Sequence, residues 1–455
     1  MRWILAAGAC LSVTSPGFAQ DKGASLHDAI GAPDALKLSG SFRTRGEVID
    51  GQFRPDKASS DQLLSVRTTL FAEYDTGPVR FGAEFRDARG YGQARNSSAD
   101  SGVVNTLEFS QYYLGLDLAD ALGAQSDTTI EIGRVTMALG SARLIARQGF
   151  RNSMNAYTGV RFERRTHDKQ QFTAFWTMPN IRLPRDSEAI LDNESQWDRE
   201  TTDVQLFGAF LSEPLGKDIT LELYGYGLVE RDAPGFETTN RHLFTPGLRV
   251  SRKAAAGRVD FDVELIGQVG HARKSRAASD QIARDVAAWS VHASVGHRWT
   301  EALQPRVSAF FDYASGNRAN DRVGRFDFLY GGRRFEFGPS ALFGPVSRSN
   351  LISAGARAEI VPAKGVSLSL AHRALWLASA TDSFGLTGVR DPSGRSGRFA
   401  GKQLDLQLVH WIVPQRTQLD LGYAHLFKGN FLRTAPNAPA TGDSSYGYAA
   451  VTFTF

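Results

Sequence analysis

The strongest constraint on this chain is a period of two that recurs from end to end. Residues 37–48 put Leu38, Gly40, Phe42, Thr44, Gly46 and Val48 on one face, and Lys37, Ser39, Ser41, Arg43, Arg45 and Glu47 on the other. Residues 258–269 repeat the pattern, with Val259, Phe261, Val263, Leu265, Gly267 and Val269 against Arg258, Asp260, Asp262, Glu264 and Gln268; Ile266 is the exception. A helix would scramble both faces, so these segments are strands. Comparable runs fall near 62–75, 78–88, 106–118, 128–138, 156–165, 168–178, 201–212, 218–229, 241–252, 285–299, 305–314, 349–361, 366–378, 402–413, 417–428 and 446–455. That makes about eighteen strands, each long enough to cross a bilayer when tilted, whereas globular strands average about five or six residues. A large soluble sandwich or propeller is the competing all-β reading, but propeller strands are short and no blade repeat occurs.

The connections carry a second alternation. Even-to-odd links are tight, as in Thr76-Gly77, Glu213-Pro214-Leu215-Gly216-Lys217, Pro362-Ala363-Lys364-Gly365 and Pro414-Gln415-Arg416. Odd-to-even links are long and polar: 50–61, 89–105, 139–155, 179–200, 230–240, 271–284, 315–348, 379–401 and 429–445. Short turns on one rim and long loops on the other are the habit of an antiparallel up-and-down outer-membrane barrel. An even strand number then puts both termini on the turn side, the periplasm. No run of roughly eighteen apolar residues occurs, which excludes a helical membrane protein.

Residues 1–19 have the layout of a secretory signal peptide: Arg2, a largely apolar run from Trp3 to Val13, Ser15-Pro16-Gly17, and a small-x-small site at Gly17-Phe18-Ala19. Residues 20–36 then form a polar periplasmic leader, and 37–455 the barrel. Ala7-Gly8-Ala9-Cys10 offers a lipoprotein site as the alternative, with Ala7 where Leu is preferred. If the chain's one cysteine, Cys10, leaves with the signal, disulfides, zinc-thiolate sites and cysteine nucleophiles are excluded together.

In a membrane barrel the apolar face meets lipid and the alternate face lines the pore. Parity therefore sends Arg43, Arg45, Arg67, Arg80, Arg86, Arg161, Arg249, Arg258, Arg298, Arg306, Arg357 and Arg373 to the lumen, interleaved with Glu47, Glu73, Glu84, Glu131, Asp260, Asp262, Glu264, Asp312, Glu359 and Asp405. Of 52 basic residues only ten are Lys. Arg suits a wall where a planar, permanently charged fork must bind carboxylates, its neighbours' or a passing anion's. The bland alternative is that every such Arg pairs within the wall and stiffens it. The net charge of +4 is spread along the chain, which excludes a nucleic-acid partner. Tyr74, Tyr112, Tyr157, Trp176, Tyr226, Trp289, Trp299, Tyr313, Trp376 and Trp411, near strand ends, read as interfacial girdles.

The segment 131–162, EIGRVTMALGSARLIARQGFRNSMNAYTGVRF, resembles a segment of the alginate-export outer-membrane family, with matches at Gly133, Arg134, Gly140, Arg143, Asn152, Gly159 and Val160. Departures are Val135 for Gln, Leu139 for Tyr, Asn155 for Arg, and Tyr157-Thr158 for Phe-Asp. Tyr313-Ala314-Ser315-Gly316, the aromatic-rich stretch 326–343, Asn350-Leu351, Gly401 to Leu406, Gly422-Tyr423-Ala424 and Phe427-Lys428-Gly429 match as well. The resemblance implies an eighteen-stranded barrel with an Arg-rich lumen, Arg134 and Arg143 included, that passes a polyuronate; some members resemble small-anion channels. Gly447, Ala449, Val451, Phe453 and Phe455 end the chain on one apolar face, similar to the signal read by the barrel-assembly machinery.

The resulting expectation is a monomeric outer-membrane anion channel of a Gram-negative bacterium, in contact with lipid and lipopolysaccharide, with no cofactor and no enzymatic activity. A nonspecific porin is the alternative, and a structural barrel a further one. The nearest hydrolase arrangement is His292 with Ser290 and Ser294, a spacing common by chance along a strand. A TonB-dependent transporter would need a plug domain ahead of residue 37. The loop 315–348, with Arg322, Arg325, Arg333 and Arg334 among Phe326, Phe328, Phe335 and Phe337, is either a gate or a surface loop on lipopolysaccharide phosphates.

Overall fold

A computed structural model describes residues 26–123, 125–233, 235–318 and 321–455. The expected signal peptide and residues 20–25 of the leader lie outside the described residues. The rest is one closed antiparallel sheet of eighteen strands in which each strand pairs with its sequence neighbours. They are β1 (Leu36–Asp50), β2 (Ser60–Asp75), β3 (Val79–Tyr91), β4 (Asn105–Ala119), β5 (Ser126–Val135), β6 (Tyr157–Thr166), β7 (Gln171–Pro179), β8 (Val204–Leu215) and β9 (Ile219–Glu230), followed by β10 (His242–Arg252), β11 (Arg258–Ala272), β12 (Arg284–Arg298), β13 (Arg306–Ala314), β14 (Leu351–Ala363), β15 (Val366–Trp376), β16 (Phe399–Val413), β17 (Thr417–Lys428) and β18 (Ser444–Thr454). Every predicted strand is present, with boundaries displaced by about three residues at most.

The cylinder closes by pairing β1 with β18, Ser41 opposite Thr454 through Asp50 opposite Ser445. Gly40 and Phe455 extend that seam by exchanging backbone hydrogen bonds of 2.8 and 3.0 Å. Closure leaves no unpaired edge, the requirement for crossing hydrocarbon with strands.

Faces follow parity. Val259, Val263, Leu265 and Val269 are exposed outward along β11, whereas Asp260, Glu264, Ile266 and Gln268 are buried within the barrel. The exception at Ile266 therefore keeps its register and faces inward as an apolar residue. Tight turns need little sequence. Between β2 and β3 the amide of Gly77, at φ +97°, donates to Asp75 Oδ1 over 2.9 Å, and Thr76 N–H donates to Val79 O over 2.9 Å. Glycine adopts that φ without the Cβ clash.

The nine long connections are L1 (51–59), L2 (92–104), L3 (136–156), L4 (180–203), L5 (231–241), L6 (273–283), L7 (315–350), L8 (377–398) and L9 (429–443). Several turn inward and build an apolar core inside the barrel mouth. Phe343 of L7 stacks on Tyr446 at 5.2 Å and meets Phe53 of L1 edge-on at 5.7 Å; Phe384 and Val389 of L8 and Phe431 and Leu432 of L9 are buried in the same cluster.

The girdle expectation needs two corrections. Tyr157 and Tyr226 are buried inside the barrel. Tyr226 shares its parity with Glu222 and Tyr224 and stacks on Tyr224 at 4.9 Å; Tyr157 shares its parity with Arg161 and packs edge-on against Tyr330 of L7 at 5.8 Å. Tyr74, Tyr112, Trp176, Trp289 and Trp299 are exposed on the outer face, Trp411 is exposed at the turn end of β16, and Tyr313 stacks on Trp289 at 4.1 Å.

Candidate functional site

The lumen is narrowed by two loops that meet inside it. L3 leaves the end of β5, and at Arg143 it docks on the β11 wall. Arg143 pairs with Glu264 and with Asp262 (2.9 Å), and also with Glu336 of L7. Its tip then reaches the opposite wall. Arg43 of β1 donates to Gly149 O and Arg151 O (3.0 Å each) and to Asn152 Oδ1 (3.1 Å), while Arg67 of β2 donates to Gly149 O (3.1 Å) and Arg151 O (3.2 Å). Arg45 pairs with Glu47 at 2.8 Å, donates to Phe150 O and lies 4.3 Å over the Phe150 ring. Charge-assisted bonds of this kind contribute about 1.5–3 kcal/mol each, so L3 is a fixed bar across the pore. Asn152 locks the tip by donating to Val66 O, Arg89 O and Val103 O at 2.9–3.1 Å.

L7 runs alongside L3. Tyr330 N–H donates to Leu144 O (2.9 Å), Ala146 N–H to Tyr330 O (3.2 Å), and Gly332 N–H to Ala142 O (2.8 Å). Gly331 permits this approach, because a Cβ there would sit 1.7 Å from Arg143 O. The short helix Arg334–Phe337 in L7 then brings Glu336 against Arg143 and Arg348, with His292 Nδ1 3.8 Å away. His292 is held by Asp312 at 2.7 Å, and Arg373 stands 3.8 Å from Asp312 and donates to Glu336 O. His292, Asp312 and Glu336 have the composition of a cation site. Here Arg143 and Arg348 already take the two Glu336 oxygens and Arg373 stands beside Asp312, so the cluster is a charge-balanced node joining two loops to the wall. Ser290 Oγ donates to Tyr313 O at 2.9 Å, so the Ser/His spacing along β12 is not a nucleophile–base pair.

The remaining wall arginines form a mixed-charge lattice towards the turn end. Arg80 pairs with Asp117 (2.7 Å) and Glu73 (3.0 Å), Arg161 with Glu131 (2.5 Å), and Arg249 with Asp262 (2.7 Å) and Glu222 (3.0 Å). Arg306 pairs with Asp260 (2.6 Å) and Glu359, and Arg258 with Asp218 (2.5 Å). Arg298 donates to Gln304 O (3.4 Å), whereas Arg86 lies nearer the loop end of β3 and donates to Asn105 Oδ1. Arg357 lies on the lumen parity of β14, between Arg306 on one neighbouring strand and Arg373 on the other. Arg134 departs from the lumen expectation. It stands opposite outward-facing Tyr112, 5.1 Å from that ring, and is enclosed at the rim by Glu108 (2.7 Å) and Glu200 of L4 (2.9 Å). Its parity is that of exposed Ile132, and L4 covers it.

L7 folds into the barrel and not over its outer surface. Phe326 and Phe337 are buried in the core, Arg325 pairs with Asp382 of L8 at 3.0 Å, and Arg334 bonds Tyr448 OH at 2.7 Å and lies 4.7 Å over Phe150.

Sequence reading singled out Arg333 in L7 but missed the other loop arginines that gather around it. Arg54 of L1, Arg151 of L3, Arg333 of L7 and Asp100 of L2 line a cavity of about 110 Å³. Arg182 of L4 adds a fourth positive field on Asp100. Burial and mutual repulsion hold Arg333 down to about 9, and burial, relieved in part by Asp100, leaves Arg54 at about 10; both stay charged at neutral pH. Asp100 in turn is held below the ordinary carboxylate value, against its burial, by Arg151 and Arg182. Four guanidiniums on one carboxylate is an excess of positive charge, in contrast to the balanced node at Glu336. Loop arginines carry no parity signal, and only their convergence in space reveals them.

A closed eighteen-stranded cylinder with a lipid-compatible exterior, a charged interior and loops folded across its lumen defines an outer-membrane channel barrel. The family comparison makes this specific: a model described as alginate export matches residues 34–443, and the chain belongs to that family. No curated protein matches the sequence. Among solved structures, the chain is similar in fold to OccAB3 of Acinetobacter baumannii, at 14% identity and TM-score 0.58, covering 92% of this chain and 99% of that one. It is also similar to OccD3 (OpdP) of Pseudomonas aeruginosa, at 16% identity and TM-score 0.55 over 93% and 91%. A third is OccK2 (OpdF) of Pseudomonas aeruginosa, solved in complex with glucuronate, at 12% identity and TM-score 0.58 over 92% and 96%.

Proposed function

We propose that this chain passes small or acidic-sugar anions across the outer membrane of a Gram-negative bacterium, as a channel without catalytic activity. The observation that carries the reading is the positive excess of Arg54, Arg151, Arg182 and Arg333 around Asp100, above a bar whose own charges are balanced. A solute carboxylate or phosphate supplies the missing negative charge there, and a guanidinium fork binds either in bidentate fashion. The bound glucuronate of OccK2 is a carboxylate of that class.

The wider setting follows from the architecture. Nine long loops on one rim and tight turns on the other support loops outside and both termini in the periplasm, with 1–19 removed as a signal peptide, 20–36 as a leader and 37–455 as the barrel. Partners are then outer-membrane lipid and lipopolysaccharide, with assembly as a monomer by the barrel-assembly machinery reading Phe453 and Phe455. The fourteen candidate arginines divide by role in this reading. Arg43, Arg45, Arg67 and Arg143 position L3, Arg134 secures L4, and Arg80, Arg86, Arg161, Arg249, Arg258, Arg298, Arg306, Arg357 and Arg373 belong to the wall.

Planar-bilayer recording in a KCl gradient tests the proposal. The reversal potential is expected to show anion preference, reduced by Arg54→Gln with Arg333→Gln. Cation preference in the parent protein overturns it.

A further inference from the structure

Above L3, the loop ends of β6 to β10 enclose a second cavity of about 200 Å³. Arg182, Arg185, Arg241 and Arg276 reach it from L4, L5 and L6, against Glu230 and Glu237. Arg241 is spent on Glu230 and on Asp327 (2.5 Å). Among the described residues no carboxylate lies within ion-pair distance of Arg182, Arg185 or Arg276. Arg182 donates to Asn155 Oδ1 at 2.6 Å, while its buried Nε has no partner. Burial and the proximity of Arg276 lower Arg185, whose guanidinium lies 5.4 Å from the Phe236 ring. Tyr330 and Phe236 supply aromatic surface, while Asn155, Asn180 and Thr238 line the cavity with groups engaged by Arg182, Arg134 and Asp232.

We propose that this cavity binds one monosaccharide-sized sugar acid, its carboxylate held by Arg182 and its ring against Tyr330 and Phe236. The inference rests on the anion-channel reading and adds a defined solute site to it. Size limits the occupant, because the cavity is smaller than the roughly 300–1,000 Å³ that drug-sized ligands fill and so holds about one sugar unit. Chemistry selects it too: unpaired cations want an anion, and an aromatic face suits the apolar face of a pyranose. Asn155 contributes by being short. The family segment carries Arg at that position, whereas here Asn155 donates to Ala146 O and Tyr330 O at 2.8 and 2.9 Å and leaves room for Arg182 to enter from L4.

Isothermal titration calorimetry of the full-length, detergent-folded protein with sodium glucuronate, and with glucose as the neutral counterpart, tests the site. Saturable binding of one glucuronate per chain is expected, with glucose at least tenfold weaker. Arg182→Gln should weaken glucuronate at least tenfold. Arg276→Gln, on an exposed residue whose replacement leaves folding intact, should weaken it severalfold, so a misfolded Arg182 variant does not decide the outcome. Equal binding of glucose, or undiminished affinity in both variants, overturns the proposal. Absence of saturable binding in a parent protein that still prefers anions in bilayers sinks the site and spares the channel, whereas cation preference sinks the channel reading itself.

Discussion

Glu336 is the hinge between the two loops that cross the lumen, and Glu336→Gln tests whether the node holds them. The substitution keeps the side chain's shape and removes its charge. Arg143 retains Glu264 and Asp262, but Arg348, buried near the C-terminal end of L7 itself, loses its carboxylate partner and keeps the neutral acceptor Gly332 O. Leaving one buried charge uncompensated costs about 3–5 kcal/mol. At the lower figure the docked fraction of L7 falls against the undocked by roughly a hundredfold, since about 1.4 kcal/mol is a factor of ten. Single-channel recording should show new, larger openings or a raised mean conductance. Pairing the change with Arg348→Met removes the stranded cation, and the double variant should return most of the way to the parent behaviour, a coupling that independent sites do not show. Parent-like currents in the single variant, or a double variant worse than either single one, would refute the claim that this node clamps L7.

Leu265→Arg places a charge on the outer face midway along β11, where parity exposes the leucine at 48%, and should lower folding stability in bilayers by about 2–4 kcal/mol; an unchanged urea midpoint would remove that face from the lipid. Phe343→Ala should cost about 3–5 kcal/mol of loop packing, read as protease cleavage within L7 or L8 while the barrel stays heat-modifiable on gels. Retained protection means the inner core does not depend on that ring.

The strands were legible because one face of each must be apolar and the other polar, a demand that repeats every two residues and survives in sequence whatever the loops do. Parity also carried the charges of the wall: Arg249 opposite Glu222 and Glu264 on its neighbouring strands is a cross-strand arrangement that alternation predicts. It failed where aromatic identity was allowed to outweigh position, as at Tyr226, whose neighbours Glu222 and Tyr224 already marked its face as interior. It failed differently at Arg134, whose burial comes from L4 folding over the rim and not from the strand. What no local pattern holds is the convergence of loops. Arg143 meets Glu264 across 121 positions of sequence, and Arg54 donates to Leu342 O across 288. Asp100, Arg151, Arg182 and Arg333 sit in four separate polar stretches that read alike until they are folded together.

The seam between β1 and β18 has a consequence for how such a molecule can change. Each rung of the cylinder is satisfied by the strand beside it, and none of the eighteen pairings needs L3, L7 or L8 to complete its ladder. The hoop and its contents are separate structures sharing one chain. Exchanging the inward loops can therefore retune what passes without loosening the hoop, whereas the two ends that meet at Gly40 and Phe455 have no such freedom, because a fault there opens the whole circumference.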